Sequence, residues 1–223
     1  MEGLRRTVPK LAALAFALTA ATLGPGLPAD AGAQVIEFES GGLRYLTQTK
    51  GGVTVMFAYL PVQVREFAVI QVAISNGSSQ AWNFRPEDFS FRRPDGAAIQ
   101  ATPARKVVEG FIEKGNRGDV IKLVTAYESG LYGMNKHQST NGYEQRRQAA
   151  LAEVNSTRLK AAAAASAIVL VSVKLKPGES TDGAVFYPNS GKPLGPGRLI
   201  VRAGPSVFDF DTASLAPNGK TEE

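Results

Sequence analysis

The sequence predicts a mainly β domain: an antiparallel β-sandwich with a helical segment inserted between two of its strands. From Val35 to about Ala101, apolar and polar residues alternate with a period of two between turn residues, which is typical of short antiparallel strands. Between Pro103 and Ser166 the apolar residues recur at helical spacing instead. From Val169 the alternation of β-branched residues returns. An α+β fold would have the same order of elements and is the alternative.

The first 33 residues are expected to be a secretory signal peptide and not part of the fold. Arg5 and Arg6 belong to a positively charged start, and residues 11–23 form an apolar run. Ala31-Gly32-Ala33 then places small residues where a signal peptidase cuts, so we expect cleavage before Gln34. The apolar run is shorter than the roughly 20 residues that cross a bilayer. We therefore predict an exported protein, periplasmic or extracellular, with no transmembrane segment after cleavage.

The domain itself is expected to span residues 34–211, including the helical insert 103–166, with the polar stretch 212–223 as a flexible tail. A chain of this length can bury a sizeable core. The sequence contains no cysteine, which excludes disulfides, thiolate metal sites and a cysteine nucleophile. The domain must therefore be stabilised by its core alone.

Two strands stand out in the first half of the domain. Residues 52–60, GVTVMFAYL, and 66–76, EFAVIQVAISN, are rich in β-branched and aromatic residues. Within the second stretch, Ile70, Val72 and Ile74 fall on one face.

Turn sequences separate these strands from the next ones. Residues 76–79, Asn-Gly-Ser-Ser, and the dipeptide Asp95-Gly96 are turn formers, because Asn, Asp and Gly tolerate positive φ. Further short strands are predicted at 81–84 and 88–94. Trp82, the single tryptophan, is expected to belong to the core.

Two helices are predicted in the first part of the insert. Val107, Val108, Phe111 and Ile112 have helical spacing and predict the first. Asp119 is a first-turn acid for the second. Five apolar residues predict the body of that second helix: Val120, Leu123, Val124, Tyr127 and Leu131.

The second part of the insert contains a loop and a third helix. Residues 129–142 have three glycines and no periodicity, so they predict a long exposed loop. The third helix is expected to run from near Gly142 to Ser166 and to end in the alanines 161–165. Alanine is the best helix former, and its small side chain lets a helix lie close to a neighbour.

The chain is then expected to return to the sheet as a hairpin over residues 169–188, VLVSVKLKPGESTDGAVFYP. Pro177 and Gly178 fit positions i+1 and i+2 of a type II turn. Two later strands are predicted at 197–204 and 206–210.

Two stretches of the chain carry a recurring set of turn and strand motifs. Residues 52–101 contain a strand that ends in Ile-x-Asn, a Pro-Glu-Asp-Phe corner and an Asp-Gly turn. Residues 168–203 contain Leu-x-Pro-Gly-Glu-Ser, followed by a strand that begins Gly-Ala-Val-Phe. In these motifs the chain resembles uncharacterised exported bacterial immunoglobulin-like β-sandwich domain proteins. The resemblance implies an immunoglobulin-like sandwich with a binding or assembly role and supplies no catalytic residues, and the helical insert departs from it.

The residue inventory argues against an enzyme. His137 is the single histidine and lies in the predicted loop 129–142. Ser129 and Ser139 are near it in sequence, but no Gly-x-Ser-x-Gly elbow accompanies them. One histidine without cysteine cannot supply a usual zinc ligand set. We therefore predict no catalytic residues, no metal and no cofactor, with a hydrolase of envelope polymers that uses the 129–142 loop as the alternative.

Three polar motifs have a structural explanation. Asp209 and Asp211 alternate with phenylalanines, and Glu37 and Glu39 alternate in the same way, so each pair is expected on the solvated face of a strand. No calcium-loop pattern accompanies them. Residues 117–119, Arg-Gly-Asp, match an integrin-recognition tripeptide, but the start of a helix explains them.

Charge is concentrated in the insert. Residues 103–166 carry ten basic and six acidic side chains, whereas the rest of the mature chain is balanced. We therefore predict that the insert meets a protein or an anionic component of the cell envelope, and not nucleic acid, because no aromatic residues are interleaved with the basic ones. The predicted partner-binding residues are Tyr132, Lys136, His137, Tyr143, Arg146 and Arg147. Deleting 103–166 is expected to leave a folded sandwich that no longer binds.

Overall fold

The computed structural model describes residues 34–133 and 156–215, with the backbone alone at 127 and 129–133. All of these residues belong to one compact unit of the chain, Ala33–Glu223. They form eleven β-strands, three α-helices and two short 3-10 helices. The fold is mainly β with antiparallel sheets, and its helices lie between two strands, as predicted.

Most strands belong to two antiparallel sheets. A five-stranded sheet has the order β1-β2-β3-β4-β9, and a four-stranded sheet has the order β11-β10-β6-β7. The short strands β5 and β8 pair with each other. The strands are β1 Val35–Ser40, β2 Leu43–Lys50, β3 Val53–Val64, β4 Phe67–Asn76, β5 Trp82–Phe84, β6 Phe89–Arg92, β7 Ala98–Gln100, β8 Val173–Leu175, β9 Ser180–Pro188, β10 Arg198–Ala203 and β11 Ser206–Asp211.

The two larger sheets pack around a shared apolar core. Ile70, Val72 and Ile74 of β4 lie on one face and are fully buried, as predicted. The rings of Phe57 and Phe210 meet edge to face with their centroids 5.0 Å apart. The four-stranded sheet contributes Phe89, Phe91, Leu199, Val201, Phe208 and Phe210 to this core.

The three helices form a further layer on the opposite face of the five-stranded sheet. They are α1 Ala104–Lys114, α2 Arg117–Gly133 and α3 Thr157–Ile168. A second core joins helix residues, such as Phe111 and Leu123, to strand residues, such as Val69 and Phe186. The interior strand β4 is therefore buried on both faces. Each large apolar side chain buried in this way contributes about 1.5–3 kcal/mol.

The alanines of α3 allow close helix packing, as the sequence indicated. Ala161 and Ala165 are fully buried, and α3 lies between α1 and α2. A Cβ atom placed on Gly115 would lie 2.7 Å from the Cβ of Ala161, a distance that real Cβ atoms do not adopt. Larger residues at either position would push α1 and α3 apart.

The start of α2 explains the Arg-Gly-Asp tripeptide. Asp119 accepts a hydrogen bond from the backbone N–H of Asn116 at 2.9 Å, and its own N–H donates to Asn116 Oδ1 at 3.0 Å. Asp119 also pairs with Arg65 at 3.2 Å. The Asp119 side chain is 7% exposed, so it is not available to a receptor.

The predicted hairpin over residues 169–188 is wrong in its pairing. β8 pairs with β5, and β9 pairs with β4. The turn itself is confirmed, because Gly178 has φ +80° and the N–H of Glu179 donates to the carbonyl of Lys176 at 3.0 Å. The two strands leave this turn toward different partners, since β4 offers β9 a nine-residue ladder that β8 cannot match.

Two predicted boundaries also differ from the structure. α3 continues to Ile168, and the strand expected from Val169 is a single bridge to Ala184 followed by β8. α2 continues to Gly133, into the stretch predicted as the loop 129–142. At the end of α3, Ala167 and Ile168 are buried, so packing supports the extension of this helix beyond the point at which the local pattern changed.

The two strand faces predicted to be solvated differ from each other. In β11, Phe208 and Phe210 are buried while Asp209 and Asp211 point outward, as predicted. In β1 the apolar residues that alternate with the glutamates are exposed as well: Ile36 by 56% and Phe38 by 39%. β1 is an edge strand, so only one neighbour covers it.

The other local predictions concern turns and membrane helices. Asp95-Gly96 forms the β6–β7 turn, with φ +85° at Gly96 and the Asp95 carboxylate accepting from the N–H of Ala97 at 2.9 Å. Asn76 Oδ1 accepts from the N–H of Ser78 at 3.0 Å, as expected of an Asn-Gly turn.

Within residues 34–133 and 156–215, no helix is long and apolar enough to cross a membrane.

Candidate functional site

A break in strand β3 creates an apolar cleft on the described surface. The ladder from β3 to β2 ends at the pair Ala58–Tyr45, and the ladder to β4 is interrupted between Tyr59 and Gln63. In this interval, three residues of β3 lie opposite a single residue of β4, so the irregularity is a β-bulge. Pro61 lies in it and has no N–H to donate, so the sequence cannot continue the ladder there.

The cleft, called the bulge cleft below, has a volume of about 430 Å³. Its lining comes from both cores: Leu43 and Val69 belong to the helix-facing core, whereas Ala68 and Leu194 belong to the core between the sheets. Gaps of this size, apolar with a few polar groups, are typical of ligand sites. The apolar lining consists of Leu43, Tyr59, Leu60, Pro61, Val62, Ala68, Val69, Pro193, Leu194 and Leu215.

Polar groups border the cleft on the side of β2. The guanidinium of Arg44 donates to the backbone carbonyl of Ser214 at 2.7 Å and lies 3.8 Å from the Glu37 carboxylate. The side chain of Arg44 is 50% exposed, so one side of it still faces solvent. Gln63, also exposed, lines the cleft from β3.

The Tyr59 hydroxyl is positioned by the loop that follows β9. It donates to the carbonyl of Gly195 at 3.1 Å. Burial raises the pKa of Tyr59 to about 12, although a hydrogen bond with Thr212 acts in the opposite direction. Tyr59 therefore stays neutral and fixes one wall of the cleft.

The bulge cleft is suited to binding and offers little chemistry. Among the residues that line it, none is a histidine, cysteine, aspartate or glutamate. Across the described part of the chain, no group of three such residues could hold a metal ion. What the cleft provides is apolar surface beside one cation.

The predicted partner-binding residues lie outside the described residues. Lys136, His137, Tyr143, Arg146 and Arg147 fall in 134–155, and Tyr132 lies in α2 but its side chain is not described. They remain predictions.

The described helices themselves carry exposed basic side chains. Lys106 lies on α1 and Lys122 lies on α2. Arg105, also on α1, forms an ion pair with Glu109 at 2.7 Å. The exposed acids of these helices are Glu109, Glu113 and Glu128. The exposed basic residues, called the basic helix face below, are Arg105, Lys106, Lys114, Arg117, Lys122, Arg158 and Lys160.

Sequence reasoning missed the bulge cleft, although one signal for it was present. The predicted strand 52–60 stops just before Pro61, and a proline within a strand pattern indicates an edge or a bulge. β3 instead continues to Val64. The lining residues from 193–194 and 214–215 have no sequence signal, because only the tertiary fold brings them to β3.

Comparisons with known proteins give no family. No family model matches the sequence, and no curated protein matches it. Among solved structures, a crystal structure of the yjhA protein from Bacillus subtilis is similar, with 9% identity over 74% of this chain and 76% of that one and a TM-score of 0.29. A likeness at this TM-score carries no argument about fold or function.

Proposed function

We propose that this protein is a non-catalytic binding module of the cell envelope, and that its bulge cleft takes the apolar part of an amphiphilic ligand with an acidic end. The observation that carries the proposal is an apolar cleft at a built-in break of the central sheet, with the half-exposed Arg44 at its edge. An immunoglobulin-like sandwich and export through a signal peptide belong to the same proposal. They are supported by the two packed antiparallel sheets and by the pattern of residues 1–33.

The energetics favour a chain-like apolar ligand. Each buried methylene contributes about 0.8 kcal/mol, so a chain with about eight buried methylenes gains about 6 kcal/mol before the cost of ordering. The Arg44 guanidinium adds a charge-assisted hydrogen bond to a carboxylate or phosphate at the end of the chain. Specificity for an acidic amphiphile over a neutral one would come from this residue.

Binding of a fluorescent long-chain fatty acid and of the corresponding alcohol tests the proposal. We expect Val62→Asp to weaken both by about tenfold or more, because it places a charge in the apolar lining. Arg44→Gln should weaken the acid and leave the alcohol unchanged. The matched control is Val207→Asp, which makes the same change at an exposed valine of β11 outside the cleft. No binding of either compound, or equal losses in Val62→Asp and Val207→Asp, would contradict the proposal.

A second candidate function is recognition of an anionic partner through the helical insert. The observation in its favour is the basic helix face, which has seven exposed basic side chains against three exposed acids. Lys136, Arg146 and Arg147, with the aromatic residues Tyr132 and Tyr143, belong to the same insert in the sequence and remain the predicted contact residues.

Vesicles test this second candidate. At low salt, we expect wild-type protein to bind phosphatidylglycerol vesicles more tightly than phosphatidylcholine vesicles. Two charge reversals, Lys106→Glu/Lys122→Glu and Arg146→Glu/Arg147→Glu, should each weaken that binding. Unchanged binding in both variants would rule out the insert as the contact surface.

A further inference from the structure

A second groove lies beside the small β5–β8 sheet. It has a volume of about 530 Å³ and is lined by residues of β5 and of the segment 85–88 that follows it, of 172–174 at the start of β8, and of the end of β10 with the turn after it. Three basic residues reach it from these separate segments: Arg85, Lys174 and Arg202. It shares no lining residue with the bulge cleft and none with α1, α2 or α3, so it is distinct from both the bulge cleft and the basic helix face.

The single acid in the lining is already occupied by one of these basic residues. Asp88 Oδ2 accepts from the backbone N–H of Arg85 at 2.8 Å, and Asp88 Oδ1 accepts from the Arg85 guanidinium at 3.0 Å. The Arg85 side chain nevertheless remains 62% exposed. Asp88 therefore fixes the position of Arg85 and is not directed at Lys174 or Arg202.

The other two basic residues have neutral polar side chains beside them. Lys174 lies directly opposite Asn83 in the β5–β8 pairing, and both side chains are exposed. Arg202 Nη1 lies 3.5 Å from Ser90 Oγ, a long contact. Among the described residues, no carboxylate forms an ion pair with Lys174 or Arg202. The groove thus has a net positive charge.

We infer that this groove, the β5–β8 groove, binds a linear anionic polymer through two or more of its oxyanion groups. Arginine presents a planar fork that fits a phosphate or carboxylate, and lysine adds a mobile point charge. The groove's volume of about 530 Å³ exceeds that of a single oxyanion, and its basic residues come from three separate segments, which favours successive groups along one chain over an isolated ion. Phosphate and carboxylate polymers share this chemistry.

The protein has its own reporter for this binding. Trp82 is the single tryptophan of the sequence, and it lies in β5 next to Asn83. A Cβ atom on Gly204, which lines the groove, would lie 3.7 Å from the Trp82 ring. A polymer in the groove should therefore change the tryptophan fluorescence.

The experiment titrates wild-type protein at low salt with poly(glycerol phosphate) and, separately, with polygalacturonate. Fluorescence of Trp82 and equilibrium dialysis report binding. We expect Lys174→Glu/Arg202→Glu to lose about tenfold or more in affinity, because each oxyanion contact removed is charge-assisted. The matched control is Arg92→Glu/Lys192→Glu, which changes the net charge equally at two exposed basic residues that line neither the groove nor the bulge cleft and do not belong to the basic helix face. Lys174→Gln/Arg202→Gln provides a milder variant if charge reversal disturbs folding.

The outcomes separate the possible ligands. Binding of either polymer supports the site. Whether the phosphate polymer, the carboxylate polymer or both bind shows which oxyanion the site accepts. Failure of both polymers to bind the wild type overturns the inference. Equal losses in the groove variant and the Arg92→Glu/Lys192→Glu control also overturn it, because they would show attraction to overall charge. The bulge cleft proposal does not depend on any of these results.

Discussion

Tyr187 places a polar hydroxyl group in an apolar environment. It is fully buried in the core between the sheets, and its hydroxyl has no hydrogen-bond partner among the described residues. Its ring packs edge-on against Phe91 with centroids 6.4 Å apart. The ring therefore supplies core volume, while the hydroxyl costs desolvation without a compensating bond.

Removing this hydroxyl should not destabilise the protein. We expect Tyr187→Phe to leave the free energy of unfolding unchanged or to raise it by about 1 kcal/mol, measured by urea denaturation. The control is Tyr59→Phe, which removes the donor to the carbonyl of Gly195. This change should lower the free energy of unfolding by about 1 kcal/mol. A larger loss in Tyr187→Phe than in Tyr59→Phe would show that the Tyr187 hydroxyl has a partner.

Buried tyrosines should also make the fold sensitive to alkali. Burial raises the pKa of Tyr45 and of Tyr59 to about 12, and raises that of Tyr187 well above 10.0, with Tyr59 adding to the effect. Above pH 10 the unfolded chain releases protons that the folded chain keeps. This contribution to stability is therefore complete below about pH 10 and is lost as the pH rises through about 12.

Urea denaturation at a series of pH values tests this dependence. The midpoint should be nearly constant from neutral pH to about 9 and should fall from about pH 10 upward. Tyr187→Phe should weaken the fall, because phenylalanine has no proton to release. A midpoint that is independent of pH up to about 12 would contradict the assignment.

At the scale of elements, one glycine decides how closely the chain can return to the sheet after α3. The segment at Leu170 lies against β9, where its N–H donates to the carbonyl of Ala184 at 2.8 Å. A Cβ atom on Gly183 would lie 2.6 Å from the Cα of Leu170. Because the obstacle is backbone and not a flexible side chain, the two segments would have to separate.

We therefore expect Gly183→Ala to lower the free energy of unfolding by about 3 kcal/mol. The matched control is Gly110→Ala in α1, where a Cβ atom meets nothing within 4 Å. That change should raise stability by up to about 1 kcal/mol, since alanine is the better helix former. Chemical denaturation of both variants checks the pair, and similar effects of the two changes would show that the close approach at Gly183 is not a constraint.

At the scale of the whole molecule, the helices are part of the core. The sequence alone suggested that residues 103–166 could be removed, on the reasoning that a sandwich is stable without them. The structure instead places α1, α2 and α3 over apolar side chains of the five-stranded sheet. The strand residues in that core include Leu43, Tyr45, Leu60, Phe67, Val69 and Phe186.

Deleting residues 103–166 behind a short linker should therefore yield an unfolded or aggregating protein, because an apolar sheet face would be exposed to water. Circular dichroism and binding of a hydrophobic dye measure the outcome. The control is replacement of 134–155 alone by a flexible linker, which leaves every described helix–sheet contact in the chain. This variant should stay folded, and it also removes Lys136, His137, Tyr143, Arg146 and Arg147. A folded, soluble 103–166 deletion would show that the helix layer is dispensable.

Features that depend on local patterns could be predicted from the sequence. The period of two located β3, β4, β6, β10 and β11 to within a few residues, and the change to helical spacing located α1 and α2, because side-chain direction repeats with the backbone geometry. Turn residues such as Gly178 and Asp95-Gly96 were also readable, since few other residues adopt positive φ.

Only the tertiary structure decided which strands pair and where the clefts lie. β8 and β9 are joined by a well-formed turn and still pair with different strands, because the long ladder along β4 outweighs local hairpin formation. The bulge cleft needs Leu43, Leu194 and Leu215 to meet at the break in β3, and the β5–β8 groove needs Lys174 and Arg202 to meet Arg85. Contacts between residues so far apart in the chain depend on the packing of whole layers, which no short pattern records.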